Sequence, residues 1–236
     1  MDIDAAIFFD NKKDHLDEVY SKHRDIKLVK IPDAKGTYFP PALTMESGPL
    51  KTMIESLGSN AYVELLKSRG IDKDGYDPIA GIEQNHIRIL NRWLIQTKDY
   101  KHRAAIFDWD RTLTKVEGFY PLYRGTERRM FEDTLLYLFG GHKRLLKIRG
   151  MFQHLTEEGV EIFILTNNEA SMTAFYKRLI HVLSPHIPLK NIICATRLYQ
   201  GNKGEAFDNH ERLSTVRILE TRGAGTRRVK KEATPD

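Results

Sequence analysis

Four short apolar runs punctuate the chain, and each stops at a polar residue. Ala5-Ala6-Ile7-Phe8-Phe9 runs into Asp10, Ala104-Ala105-Ile106-Phe107 into Asp108, Val160-Glu161-Ile162-Phe163-Ile164-Leu165 into Thr166, and Asn191-Ile192-Ile193-Cys194-Ala195 into Thr196. Runs of this length, bounded by charges or turn residues, read as strands buried on both faces. A fifth, Ile26 to Ile31, is ended by Pro32, which cannot continue a ladder. Helical spacing fills the gaps: Asn11 to Tyr20, Lys143 to Leu155, Ala170 to Leu183, and a last helix beginning near Lys203. The 143–155 helix is basic, its polar face reads as solvated, and Gly159 closes it. Strands alternating with helices predict an α/β fold, a mostly parallel sheet flanked by helices. The opening strand, helix and strand of residues 1–32 have the length of one βαβ unit.

Residues 33–103 interrupt the alternation. Pro40-Pro41 and Gly48-Pro49 mark a loop, and apolar residues then recur at helical spacing from Pro49 to Arg69. A second helix is predicted over Ile82 to Tyr100, with Ile87, Leu90, Trp93 and Leu94 on one face. Between them, Asp72, Asp74 and Asp77 lie in a turn-rich loop. Their spacing does not match a calcium loop, so they read as solvated. The segment is expected to be a small helical insert that connects the first βαβ unit to the remainder.

Composition adds bounds. A chain of 236 residues can bury one good-sized core with an appendage. The net charge of +5 favours anionic partners without naming one. Much of it lies in residues 221–236, a basic tail that reads as flexible and solvated before it reads as a nucleic-acid arm. The single cysteine, Cys194, excludes an internal disulfide framework and a cysteine-rich zinc site, and in an apolar run it is expected to be a core thiol. The acidic start, Met1-Asp2-Ile3-Asp4, is unlike a signal peptide. No apolar run approaches the roughly 20 residues that span a bilayer. No membrane role is expected, and the location expected is the cytoplasm or another reducing compartment.

Candidate chemistry concentrates where the second apolar run ends. Asp108-Trp109-Asp110-Arg111-Thr112 delivers two carboxylates, two residues apart, to the C-terminal end of a strand. Ligands bind at that end of open α/β sheets. Asp also caps helices and forms turns, so spacing alone leaves a structural role open. The whole string Asp108-Trp109-Asp110-Arg111-Thr112-Leu113-Thr114 resembles the first motif of the haloacid dehalogenase (HAD) superfamily of phosphatases and phosphotransferases. Val160 to Leu165 followed by Thr166-Asn167-Asn168 resembles the second motif. Lys203, in Gly201-Asn202-Lys203-Gly204-Glu205, stands where that superfamily places its third-motif lysine. Lys190 precedes the 191–196 strand, at the wrong end of it.

The resemblance implies specific roles. Asp108 is the expected nucleophile and Asp110 the general acid and base. Thr166, Asn167 and Lys203 would hold the phosphoryl group. The fourth motif, which supplies acidic Mg²⁺ ligands from a strand after the lysine, is absent downstream of Lys203. Ala5 to Asp10, followed by Asn11-Lys12-Lys13-Asp14-His15-Leu16, resembles it instead. The implied arrangement is a circular permutation. Residues 1–32 and 104–220 would form the catalytic core, Asp10 would join Asp108 and the Asp110 carbonyl as metal ligands, and Asn11 and Asp14 would be supporting candidates. The few, hard, oxygen-only ligands suit Mg²⁺.

Caps between the first and second motifs select substrates in this superfamily. Here residues 115–141 form a short cap region containing Arg124, Arg128 and Arg129. A small cap leaves room for a macromolecular phosphate. The expected activity is hydrolysis of a phosphomonoester through an aspartyl-phosphate. The competing readings are a catalytically weak scaffold that docks nucleic acid or protein, and phosphotransfer to an acceptor other than water.

Overall fold

The computed structural model describes residues 2–32, 81–115, 135, 138–140, 142–169 and 174–216. The expected helix at 49–69, the acidic loop at 72–78, most of the 115–141 cap region with its three arginines, and the basic tail lie outside them.

Among the described residues, five parallel strands form one sheet in the order β2-β1-β3-β4-β5. They are β1 (Ala5–Asp10), β2 (Lys27–Lys30), β3 (Arg103–Phe107), β4 (Val160–Thr166) and β5 (Ile192–Cys194). β1 pairs with β3 in the register Phe9↔Phe107, and β3 with β4 in the register Phe107↔Ile164. The fold is α/β and Rossmann-like, with a sheet that is parallel throughout.

Alternation along each strand divides the core in two. Ile7, Phe9, Ala105, Phe107, Ile162 and Ile164 face one side, with Leu90, Trp93 and Leu94 of α2 (Gln84–Gln96) and Leu145, Ile148 and Phe152 of α3 (His142–Glu157). Tyr176, Leu179, Ile180 and Leu183 of α4 (Ala174–Leu183) complete that layer. Ala6, Phe8, Ala104, Ile106, Phe163 and Leu165 face the other side, against Leu16 and Val19 of α1 (Lys13–Lys22) and Ala206 and Phe207 of α6 (Lys203–Asn209). Burial on both faces is why these strands read as unbroken apolar runs. The second helix of the connector is thus part of the core layer.

Two expectations change in detail. The fourth apolar run yields only three strand residues. From Ala195 the chain winds directly into a short helix, α5 (Ala195–Tyr199), which puts Thr196 off the strand. The polar face of α3 is not wholly solvated, because Arg144 is buried. Its guanidinium donates to the carbonyls of Leu113, Ile82 and Phe139 at 2.7, 3.1 and 3.4 Å and pairs with Glu83 at 3.4 Å. Burial pulls Arg144 down to about 10, against the opposing pull of Glu83. Glu83 also pairs with Lys115 at 2.9 Å, and Ile82 N–H donates to Thr112 O at 2.7 Å. These bonds strap the start of α2 to the turn that follows β3. Gly81 makes the strap possible: its φ is +76°, and a Cβ there would lie 2.5 Å from the Arg144 guanidinium.

The two ends of the described chain meet. Val216 forms a parallel bridge with Ile3, just before β1, and Ile3 N–H donates to Thr215 O at 3.0 Å.

Candidate active site

β1 and β3 are adjacent, yet the chain leaves them in opposite directions, β1 toward β2 and β3 toward β4. Such a reversal opens a crevice outside the carboxyl ends of the two strands. Asp10 is the last residue of β1, and Asp108 follows β3 directly. Asp108 N–H donates to Phe9 O at 2.9 Å, which keeps the two chain ends in register as they leave the sheet.

Between the carboxylates lies Lys203, at the first position of α6. Its Nζ donates to Asp10 Oδ2 at 2.7 Å and to Asp108 Oδ1 at 2.6 Å. Asp10 and Lys203 have no exposed surface, and Asp108 has 5%. Local chemistry fixes the lysine. Asn202 caps α6 by accepting the Glu205 N–H, and Glu18 of α1 accepts the Lys203 N–H at 2.9 Å. Gly204 packs so closely that a Cβ would come within 2.8 Å of Glu18 O.

The remaining bonds orient each carboxylate. Asp10 Oδ1 accepts the Lys12 N–H at 2.7 Å, and Oδ2 contacts His15 Nδ1 at 3.0 Å. Thr112 Oγ1 donates to Asp108 Oδ2 at 3.1 Å and approaches Asn11 Oδ1 at 3.5 Å. The turn that brings Thr112 back passes through Arg111 at φ 57°, a left-handed position. Asn11 is buried and its carbonyl accepts Lys30 Nζ.

Electrostatics follow from this geometry. Burial alone would raise Asp10, but the Lys203 ammonium and the His15 hydrogen bond outweigh it and hold it below the usual carboxylate range. Asp108 is raised, first by burial and further by the Asp10 charge, with Lys203 opposing. Burial disfavours the Lys203 ammonium, yet its two carboxylates more than compensate and raise it. An ammonium between two carboxylates carries a net charge of minus one when all three are ionised.

That donor set fits a divalent cation. Among the described residues, one hydrogen bond falls on Asp10 Oδ1 and one on Asp108 Oδ2, so each keeps lone-pair capacity. Among the described residues, no three His, Cys, Asp or Glu side chains converge on a point that could hold a metal ion. Mg²⁺ does not need such a cage, since one or two carboxylates with waters and phosphate suffice.

The other expected residues take distinct places. Asp110 is part-exposed in the Trp109–Leu113 turn, on the same loop as Asp108. Its charge, after burial, helps to push the Tyr176 hydroxyl well above its ordinary value. Thr166 is buried at the end of β4, and its Oγ1 accepts the Asn168 N–H at 3.0 Å. Asn167 follows it. Its Nδ2 bonds Gly201 O at 3.1 Å and His15 Nε2 at 3.2 Å, and its carbonyl accepts Thr196 Oγ1 at 2.7 Å. Asp14 lies exposed in the first turn of α1. The residue that reaches back to Asp10 is His15, one position later, which the sequence reading passed over. Its signal was the phase of α1, which puts His15 with Leu16 and Val19 on the buried side.

No family model, no curated protein and no solved structure matches the chain.

Proposed function

We propose that this chain is a Mg²⁺-dependent phosphomonoester phosphatase that works through an aspartyl-phosphate, with a HAD-type site assembled in circularly permuted order. The observation that carries the reading is Lys203 Nζ held between Asp10 and Asp108, from opposite parts of the chain. The bridge between Ile3 and Val216 supports the permuted order, because it brings together the ends that a permutation would once have joined.

In this reading an Asp108 carboxylate oxygen attacks phosphorus. The bond to the leaving oxygen breaks, and Asp110 gives that oxygen a proton. Asp110, now a carboxylate, takes a proton from water. The water oxygen attacks the phosphoryl group, releasing inorganic phosphate and restoring Asp108. Lys203 favours the ionised form of Asp108 and neutralises phosphoryl charge, and the Thr112 hydroxyl orients the carboxylate. Thr166 through its hydroxyl, and Asn167 through its backbone N–H, would hold phosphoryl oxygens at the end of the neighbouring strand, the Asn167 amide itself being engaged by Gly201 and His15. Asp10, Asp108 and the Asp110 carbonyl would hold Mg²⁺, which when bound supplies charge stabilisation to the transferring group.

A scaffold that only docks a partner gains little stability from this arrangement. Burying an ammonium between two carboxylates costs several kcal/mol per ion in desolvation, on the order of what the pairing returns. Transfer to an alcohol in place of water requires the same residues, so the acceptor is decided by assay. The substrate is a phosphomonoester, and a macromolecular one, phosphoprotein or nucleic-acid end, fits a short cap.

The test is phosphate release from an aryl phosphate with and without Mg²⁺. The full chain is expected to be active only with the metal, and Asp108→Asn to be inactive. Undiminished release by Asp108→Asn would overturn the mechanism.

A further inference from the structure

His15 belongs to the buried network, and the proposed chemistry assigns it no role. Its ring joins three parts of the site. Nδ1 lies 3.0 Å from Asp10 Oδ2, and Nε2 lies 3.2 Å from Asn167 Nδ2. The same Asn167 nitrogen bonds Gly201 O at 3.1 Å, two residues before Lys203. A carbonyl can only accept, so Gly201 fixes the amide with its NH₂ pointing toward both neighbours. That NH₂ has two hydrogens and no acceptor capacity. One goes to Gly201 O and the other to His15 Nε2, which must therefore be bare. The ring proton is on Nδ1, donated to Asp10 Oδ2.

We infer that His15, as the neutral Nδ1–H tautomer, is a positioning residue that fixes the Asp10 carboxylate for a divalent cation. The inference rests on the reading of Asp10 as a metal ligand. Asp10 Oδ2 receives two donors, His15 Nδ1 at 3.0 Å and Lys203 Nζ at 2.7 Å, and Oδ1 receives Lys12 N–H at 2.7 Å. With Oδ2 occupied on both lone pairs, rotation of the carboxylate is stopped and the remaining capacity is on Oδ1. His15 also reports the state of the other strands. Asn167 follows Thr166 on β4, and its carbonyl is held by Thr196 Oγ1 at 2.7 Å. Displacement of the β4 end or of the Gly201 turn would reach Asp10 through one imidazole. An acid in place of His15 would repel Asp10 instead of donating to it, so the neutral donor is a specific solution.

Two readouts on the full chain test this, and neither depends on turnover. The first is the nitrogen NMR spectrum of the histidine rings. The His15 signal, identified by its loss in His15→Asn, is expected to show a protonated Nδ1 and a bare Nε2. A ring carrying a proton on Nε2, alone or together with Nδ1, would overturn the assignment. The second is Mg²⁺ binding followed by shifts of backbone amide signals. Asn can place its NH₂ where Nδ1 stood, whereas Gln reaches toward the Nε2 position. His15→Asn is expected to bind Mg²⁺ within a few-fold of the parent. His15→Gln and His15→Ala are expected to bind about 10–100-fold more weakly, the range for loss of a hydrogen-bond partner to a ligand. Equal binding by all the variants would overturn the positioning role and leave the phosphatase reading standing. Absence of Mg²⁺ binding by the parent chain would overturn both.

Discussion

At the scale of single residues, Lys203 decides the character of the site. It is a fully buried ammonium, and no arrangement of that kind persists without close anionic partners. Lys203→Met would leave two buried carboxylates facing each other across the vacated position. The expected cost at neutral pH is about 3–5 kcal/mol, the usual result of removing one partner of a buried pair. Below about pH 5 the loss should shrink. In the variant the two carboxylates titrate at raised values, so protonation on acidification relieves their repulsion. Urea unfolding of parent and variant at both pH values measures this. Equal stability at neutral pH would mean that Nζ is not shared. The lysine itself was legible in the sequence, since it opens a helix after a strand. Its burial was not, because burial depends on Glu18 and Asn202 closing over the α6 N-terminus from α1 and from the preceding turn. His15 was hidden for a similar reason: only the rotation of α1 against β1 decides whether position 14 or 15 points at Asp10.

At the scale of elements, the strap between α2 and the turn after β3 has its own pH dependence. His86 closes a capping box at the start of α2. Its Nδ1 accepts the Glu83 N–H at 3.0 Å. Only an unprotonated Nδ1 can accept. Burial lowers His86 below its ordinary value of 6.5, with Glu83 opposing. The unfolded chain therefore takes up the proton first, and the stabilisation is present above pH 6.5 and lost as pH falls through the lowered value. Glu83, raised by burial but lowered more by Lys115, Arg144 and Lys147, adds a loss of the same sign below its ordinary 4.5. Unfolding measured between about pH 7 and pH 5 should show stability declining with acid. His86→Gln keeps an acceptor and does not titrate, so it should flatten part of that decline. An unchanged slope would contradict the role given to His86. The sequence showed α2 but not this strap, because Glu83 finds its cations on Lys115, Arg144 and Lys147, far from it in the chain.

At the scale of the whole molecule, the central claim is that the beginning of the chain completes a site whose other parts begin at Asp108, in another part of the chain. The alternation of apolar runs and helical periods made the α/β class legible, since strands buried on both faces advertise themselves. The strand order follows less directly. That β1 lies between β2 and β3, and not at an edge, is set by strand pairing between distant segments, which no local pattern encodes. The missing downstream motif pointed to Asp10, and the structure brings Asp10 and Asp108 onto one ammonium. The most direct measurement is the Mg²⁺ dependence of phosphate release by Asp10→Asn beside the parent chain. The account predicts activity reduced by at least the roughly 10–100-fold that replacing a residue hydrogen-bonded to a metal ligand costs, with partial recovery at high Mg²⁺. The same rate and the same Mg²⁺ dependence in Asp10→Asn would contradict it.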